Sequence, residues 1–225
     1  MSDITLSPLF GIALSAVCFE IGVYLNKKTG SPIANPLLVG IILCIAVLKL
    51  FNIPFENFNK GGEIISMMLA PVTALLSVTI YNQLELLKKN LIPIIVGALC
   101  GSLTSVISAV ILCRLFGLND MLTASIIPKS VTTPIAMEIS AQLGGNTGIT
   151  VAAVVFTGIL GAVLSPLLIK IFKIKNPIAS GVAIGTASHA VGTSRAIELG
   201  ETEGAMSGVS IGIAGIITVI IAAFL

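Results

Sequence analysis

Between residues 204 and 225 the chain carries no charged side chain at all. It is one of several apolar runs of eighteen residues or more, and such runs constrain the fold more than anything else here. At 1.5 Å of rise per residue, a helix of that length spans the hydrocarbon core of a bilayer. The alternative membrane architecture, a barrel, needs strands of about ten residues in which apolar and polar side chains alternate. These runs do not alternate, so the chain reads as an all-α polytopic membrane protein. Composition agrees: 56% of the 225 residues are hydrophobic and only 10% are charged, against about 25% charged in an ordinary soluble domain. The mean hydropathy is +1.09. A net charge of +2 points to no nucleic-acid role. Cys18, Cys44, Cys100 and Cys113 lie singly in apolar runs, as small hydrophobes rather than disulfide or metal partners. The N-terminal residues lack a basic region, so no cleaved signal peptide is expected.

About eight hydrophobic segments can be drawn. They cover 6–25, 36–51, 63–87, 91–116, 120–143 and 149–172, a seventh begins at Asn176, and the last is 204–225. A polar loop is expected over 52–62. Pro71 falls near the middle of the third segment, close to Thr73, Ser77 and Thr79, and proline breaks a helical hydrogen bond. Shifting the chain by 111 residues lays this third segment over the seventh, and Gly97 and Gly101 over Gly208 and Gly212. Two repeats, 1–116 and 117–225, follow as an expectation within a single membrane domain of 1–225. Matched interrupted helices in two halves are the sequence mark of a transporter's central site. If every segment crosses once, Lys27, Lys28, Lys88 and Lys89 oppose Lys49, Lys60, Arg114, Lys170, Lys173 and Lys175. That division, which changes if the third or seventh segment is re-entrant, leaves the orientation open.

Two polar stretches stand out inside apolar surroundings. The first is Ile127-Pro128-Lys129-Ser130-Val131-Thr132-Thr133-Pro134. Thr133-Pro134 has the grammar of a helix start, as do Ser31-Pro32 and Asn176-Pro177: a capping side chain, then proline at the first helical position. A helix beginning at that depth aims free N–H groups and a positive dipole end inward. Lys129 adds a full charge, and Ser130, Thr132 and Thr133 add hydroxyls, which together describe an anion cradle. The competing reading is a kinked helix with Lys129 snorkelling to the interface. Glu138, one turn beyond Pro134, is a candidate counter-charge.

The second stretch runs from Gly185 to Arg195 and includes Thr186, Ser188, His189, Gly192 and Thr193. His189 is the single histidine; it is either a hydrogen-bonded bundle residue or a proton relay. Arg195 either clamps a carboxylate or pairs with Glu198 or Glu201. Glu20 in the first segment is either an interfacial or a pathway residue. No nucleophile and base share an enzyme-like spacing and no phosphate loop is present, so no enzymatic activity and no cofactor or metal is expected. Gly-rich faces suit close helix packing and a homo-oligomer. A proton or a sodium ion is the candidate coupling ion.

At residues 127–136, 185–193 and 201–207 the chain resembles the LrgB/CidB family of antiholin-like membrane proteins, whose plastid relatives carry glycolate and glycerate. The resemblance covers essentially the whole length. It implies either transport of a small monocarboxylate (glycolate, glycerate or pyruvate) or control of murein hydrolase release and lysis with a smaller LrgA/CidA-type membrane partner. That partner is expected to be a separate chain. A multi-pass protein of the cell membrane follows, the inner membrane in a Gram-negative cell. Transport calls for buried polar groups at two interrupted helices; a holin-like pore would not need Lys129 or His189 buried. The substrate-binding expectation therefore falls on Lys129, Ser130, Thr132, Thr133 and Pro134 from the first stretch. From the second it falls on Thr186, Ser188, His189, Gly192, Thr193 and Arg195.

Overall fold

The computed structural model describes residues 2–30, 34–68, 71, 74, 75, 78, 81 and 84–225. Every regular element among them is a helix, as long apolar runs without alternation demand. The Ser31-Pro32 start, and Thr73, Ser77 and Thr79 of the third segment, lie outside the described residues. Four described helices are long and apolar enough to cross a membrane: Pro8–Thr29, Leu91–Leu115, Thr147–Ile171 and Glu201–Ala222. The polytopic helical class therefore holds, with four spans of full length among the described residues. The chain falls into two compact units, 1–72 and 73–225.

The first unit holds α1 (Ser2–Leu6), α2 (Pro8–Thr29), α3 (Pro36–Leu50) and α4 (Phe55–Ser66). Capping fixes the starts. Ser7 Oγ accepts from the Leu9 amide, and Asn35 Oδ1 accepts from Leu37 and Leu38 ahead of the proline at the first helical position. Small residues set the packing, because Gly22 lies against the Pro36 backbone and Gly11 against Gly61. The stretch 52–62, expected as a loop, is mostly helix. Phe55, Phe58 and Ile65 recur at helical spacing, Asn59 Nδ2 donates to Glu63 Oε1 one turn on at 3.0 Å, and Gly61 supplies the contact with α2. The helix is amphipathic, and its polar face made it resemble a loop.

The second unit contains α5 (Leu84–Lys89), α6 (Leu91–Leu115), α7 (Asp120–Ile126), α8 (Thr133–Gln142), α9 (Thr147–Ile171), α10 (Pro177–Leu199) and α11 (Glu201–Ala222). Two reversals shape its path, each at a stretch that the sequence marks as interrupted. First, 120–143 is two short helices joined by an irregular tip at 127–132, and the tip doubles the chain back. The Asn146 amide donates to Ser125 Oγ at 2.7 Å, and Thr150 Oγ1 donates to Ser140 Oγ at 2.7 Å. The Ser140 end of α8 and the start of α9 are thereby held beside Ser125 of α7.

The second reversal is inside α10. His189 has φ 41° and ψ −141°, which is not helical. Gly192 consequently packs against Ile184, two residues that an unbroken helix would hold about 12 Å apart. Gly181 and Gly185 lie against Glu203, Met206 and Ser207 of α11, while Thr193 Oγ1 pairs with Ser207 Oγ at 2.7 Å from the other side. So 177–188 and α11 run parallel, and 190–199 runs back between its turns. The seventh segment is a re-entrant hairpin that enters and leaves at the Asn176 end. Gly97 against Val182 and Gly101 against Thr186 show that α6 also runs parallel to the first half of α10.

Candidate functional site

The two hairpins enter from opposite ends of the second unit, and Val154 of α9 touches both tips. It packs with Val131 and Ala136, and its carbonyl lies 2.9 Å from His189 Nε2. Beside the tips is a cavity of about 850 Å³. Its walls are one stripe of α6 (Asn90, Pro93, Gly97, Cys100, Gly101, Thr104, Ser105), the C-terminal half of α9 from Thr157 to Ile169, and the first half of α10 from Ile178 to Ser188. Glycine makes this approach feasible. A Cβ on Gly161 would collide with the Ser188 side chain, and one on Gly101 would sit 2.6 Å from Thr186 Cγ2.

The cavity is mostly apolar with a few polar groups, as small-solute sites are. Lys129 lies at the tip of the first hairpin. Its Nζ donates to Ser105 Oγ at 2.9 Å and to Ser130 Oγ at 3.4 Å, and Ser105 Oγ donates to Ser130 Oγ at 2.8 Å. Among the described residues, no carboxylate comes within ion-pair distance of that ammonium. Glu138, the candidate counter-charge, is exposed and accepts from Gln142 Nε2 at 3.0 Å instead. It sits on the outer side of α8 because the tip reverses the chain between it and Lys129.

On the other walls, the hydroxyls of Ser165 and Thr186 are buried, with side chains 8% and 4% exposed, and neither has a hydrogen-bond partner among the described residues. Leaving such a group unpaired costs about 1–3 kcal/mol. Ser165 immediately precedes Pro166, which sits inside α9 and removes the amide that the Ala162 carbonyl would otherwise receive.

Of the expected site residues, the structure brings Lys129, Ser130, Thr186 and Ser188 together on the cavity wall. The others lie off it. Thr132, not Thr133, caps α8; its hydroxyl is buried, has no partner among the described residues and makes no capping bond, while Thr133 and Pro134 are half-buried in the first turn. His189 faces Val154 on the far side of the break. Thr193 Oγ1 donates to the His189 carbonyl at 2.9 Å as well as pairing with Ser207. Gly192 packs against Ile184 within the hairpin. Arg195 pairs with Glu198, so of its two readings the local ion pair is the one formed. Ser105, Thr157 and Ser165 line the cavity and were not anticipated. Serine directly before a proline inside a long apolar run was the one signal available for Ser165.

Comparison with known proteins agrees with this architecture of membrane helices. The LrgB-like family model matches residues 15–225. "Antiholin-like protein LrgB" of Bacillus subtilis (strain 168) is 38% identical over 218 residues, covering 96% of this chain and 94% of that protein. The protein of the same name from Bacillus cereus (strain B4264) is likewise 38% identical over 218 residues, with 96% and 95% coverage, and that of Bacillus anthracis (strain CDC 684 / NRRL 3495) matches equally. No solved structure matches. With a family model covering nearly all of the sequence and relatives similar from end to end, this multi-pass membrane protein belongs to the LrgB-like family.

Proposed function

We propose that the chain is an antiholin-like membrane protein whose molecular task is to bind and pass a small monocarboxylate, of the glycolate, glycerate or pyruvate kind, through the cavity beside the hairpin tips. The names of its relatives support the antiholin half of this reading more directly than the transport half. The observation that carries transport is Lys129. An ammonium at membrane depth costs about 2.5–3.5 kcal/mol, and here two serines contact it without a neutralising carboxylate among the described residues. A bound carboxylate would supply the missing charge, and Ser165, Thr186 and Ser188 would meet the solute's own hydroxyl or carbonyl oxygen. Alternating access would come from movement of the hairpins, one entering from each end. A proton or sodium ion would couple the movement. The antiholin alternative, regulation of murein hydrolase release together with an LrgA/CidA-type membrane partner, needs no solute site.

Uptake of labelled glycolate, glycerate and pyruvate into proteoliposomes tests the proposal. A charge-assisted hydrogen bond is worth about 1.5–3 kcal/mol, so Lys129→Ala should weaken apparent affinity by roughly 10- to 100-fold, and Thr186→Val should lower it by less. No uptake of any monocarboxylate, together with changed lysis when a partner of the LrgA/CidA type is co-expressed, would leave the antiholin reading alone standing.

A further inference from the structure

The cavity is one-sided. On each of the three long helices that line it, only one half contributes. Ser105, at its inner limit on α6, lies 15 residues from Asn90 at its outer limit, or about 22 Å along the helix. Asn90, Ile174 and Asn176 mark the outer limit, and Asn176 is exposed. Lys129, Ser105 and Ser130 form the inner limit, at the tip of the hairpin that enters from the opposite end.

Lysine is one-sided as well, at an end that also carries Glu85, Glu198, Glu201 and Glu203, of which Glu198 is paired with Arg195. α5 ends in Lys88 and Lys89 directly before Asn90; Lys170 lies in the last turn of α9, and Lys173 and Lys175 flank Ile174. All five are exposed, and among the described residues none is in an ion pair. If every segment crossed once, the first two would oppose the last three. Because α7 and α8 turn back at 127–132, all five fall at the same end of the second unit. At the Asn119 end, the last turn of α6 and the links from α6 to α7 (116–119) and from α8 to α9 (143–146) carry one basic side chain, Arg114. Short loops rich in lysine are retained in the cytoplasm.

We infer that the cavity is a vestibule open to the cytoplasmic face, ringed by Lys88, Lys89, Lys170, Lys173 and Lys175, and that small anions gather in it from that side. The sidedness stands on topology alone; the anion preference rests on the proposed reading of Lys129. An excess of one sign of charge around the mouth of a cleft with low-dielectric walls raises the local concentration of the opposite sign by 10-fold or more, and salt reduces the effect.

Cys100 is a native reporter, since it lines the cavity and is exposed. Inside-out and right-side-out membrane vesicles containing the full chain would be treated with two membrane-impermeant methanethiosulfonates, one bearing a sulfonate and one a trimethylammonium group. Mass spectrometry of the Cys100 peptide gives each rate, normalised to that reagent's rate with a small free thiol. Lys173→Cys, read in parallel, marks the face on which the rim lies. The expected result is that Cys100 and Lys173→Cys are both modified only in inside-out vesicles, with the normalised anionic rate at Cys100 about tenfold above the cationic one. The combined Lys170→Gln, Lys173→Gln, Lys175→Gln variant, or 0.5 M salt, should bring the ratio towards one. Labelling of Cys100 from the face opposite Lys173→Cys, or none while Lys173→Cys reacts, overturns the vestibule. Labelling of both from outside overturns the orientation. Correct sidedness with no anion preference removes the rim's role, and if an unchanged Lys129→Ala ratio accompanies it, the reading of the cavity as an anion site falls too.

Discussion

His189 holds a backbone conformation that L side chains rarely adopt, with φ at 41°, and such a residue stores about 1–3 kcal/mol of strain. What keeps it there is its ring, buried and bonded to the Val154 carbonyl. Removing the ring without relieving the backbone should therefore be worse than removing both. His189→Ala loses the bond and keeps the strain, whereas His189→Gly loses the bond and relaxes φ. The glycine variant should be the more stable of the two by about 1 kcal/mol, seen as a higher thermal midpoint of the detergent-solubilised protein. Equal midpoints would mean that the backbone relaxes once the ring is gone, so that an alanine at 189 carries no strain for glycine to relieve. The residue type was conspicuous in the sequence, but its conformation was not. Neither glycine nor proline occupies position 189, and nothing in a lone histidine announces a reversal. Ser105 and Ser165 escaped for a related reason: a serine in an apolar helix looks the same facing a cavity or facing a neighbour.

At the scale of elements, glycines decide which helices touch. A Cβ on Gly185 would run into the Ser207 backbone of α11, which cannot rotate away, whereas one on Gly62 meets only the end of the Asn59 side chain at 3.4 Å. Gly185→Ala should accordingly destabilise by about 1–3 kcal/mol through overpacking, and Gly62→Ala should be neutral or slightly stabilising, since alanine is the better helix former by about 1 kcal/mol. Folded yield by size-exclusion and thermal midpoint read both; a tolerated Gly185→Ala would show that α10 and α11 separate more easily than their contact suggests. Element boundaries were largely readable, because 36–51, 91–116 and 149–172 end where lysine, arginine, proline or asparagine stop an apolar run. Path was not. Whether 120–143 crosses or doubles back depends on contacts such as Asn146 to Ser125, which link residues 21 apart and leave no periodic trace. The amphipathic α4 resembles a loop in sequence because its polar face outweighs Phe55, Phe58 and Ile65 in a short window.

For the second unit as a whole, the hairpin at 177–199 is either a moving part or a fixed wall, and its contact with α6 separates the two. A Cβ built on Gly97 lies 4.0 Å from Val182 Cβ, within the range of Cβ pairs that disulfides bridge. Gly97→Cys with Val182→Cys, in a background whose four native cysteines are alanine, should cross-link under mild oxidation with little distortion. If transport requires α10 to shift against α6, as alternating access between two re-entrant hairpins implies, the oxidised protein should still bind labelled monocarboxylate and yet lose most of its uptake. Dithiothreitol should restore uptake, which separates a locked protein from a damaged one. Uptake unaffected by the cross-link would make α6 and the first half of α10 one body. The moving boundary would then lie at the other hairpin, whose tip meets Ser105 through two side-chain hydrogen bonds, from Lys129 and to Ser130.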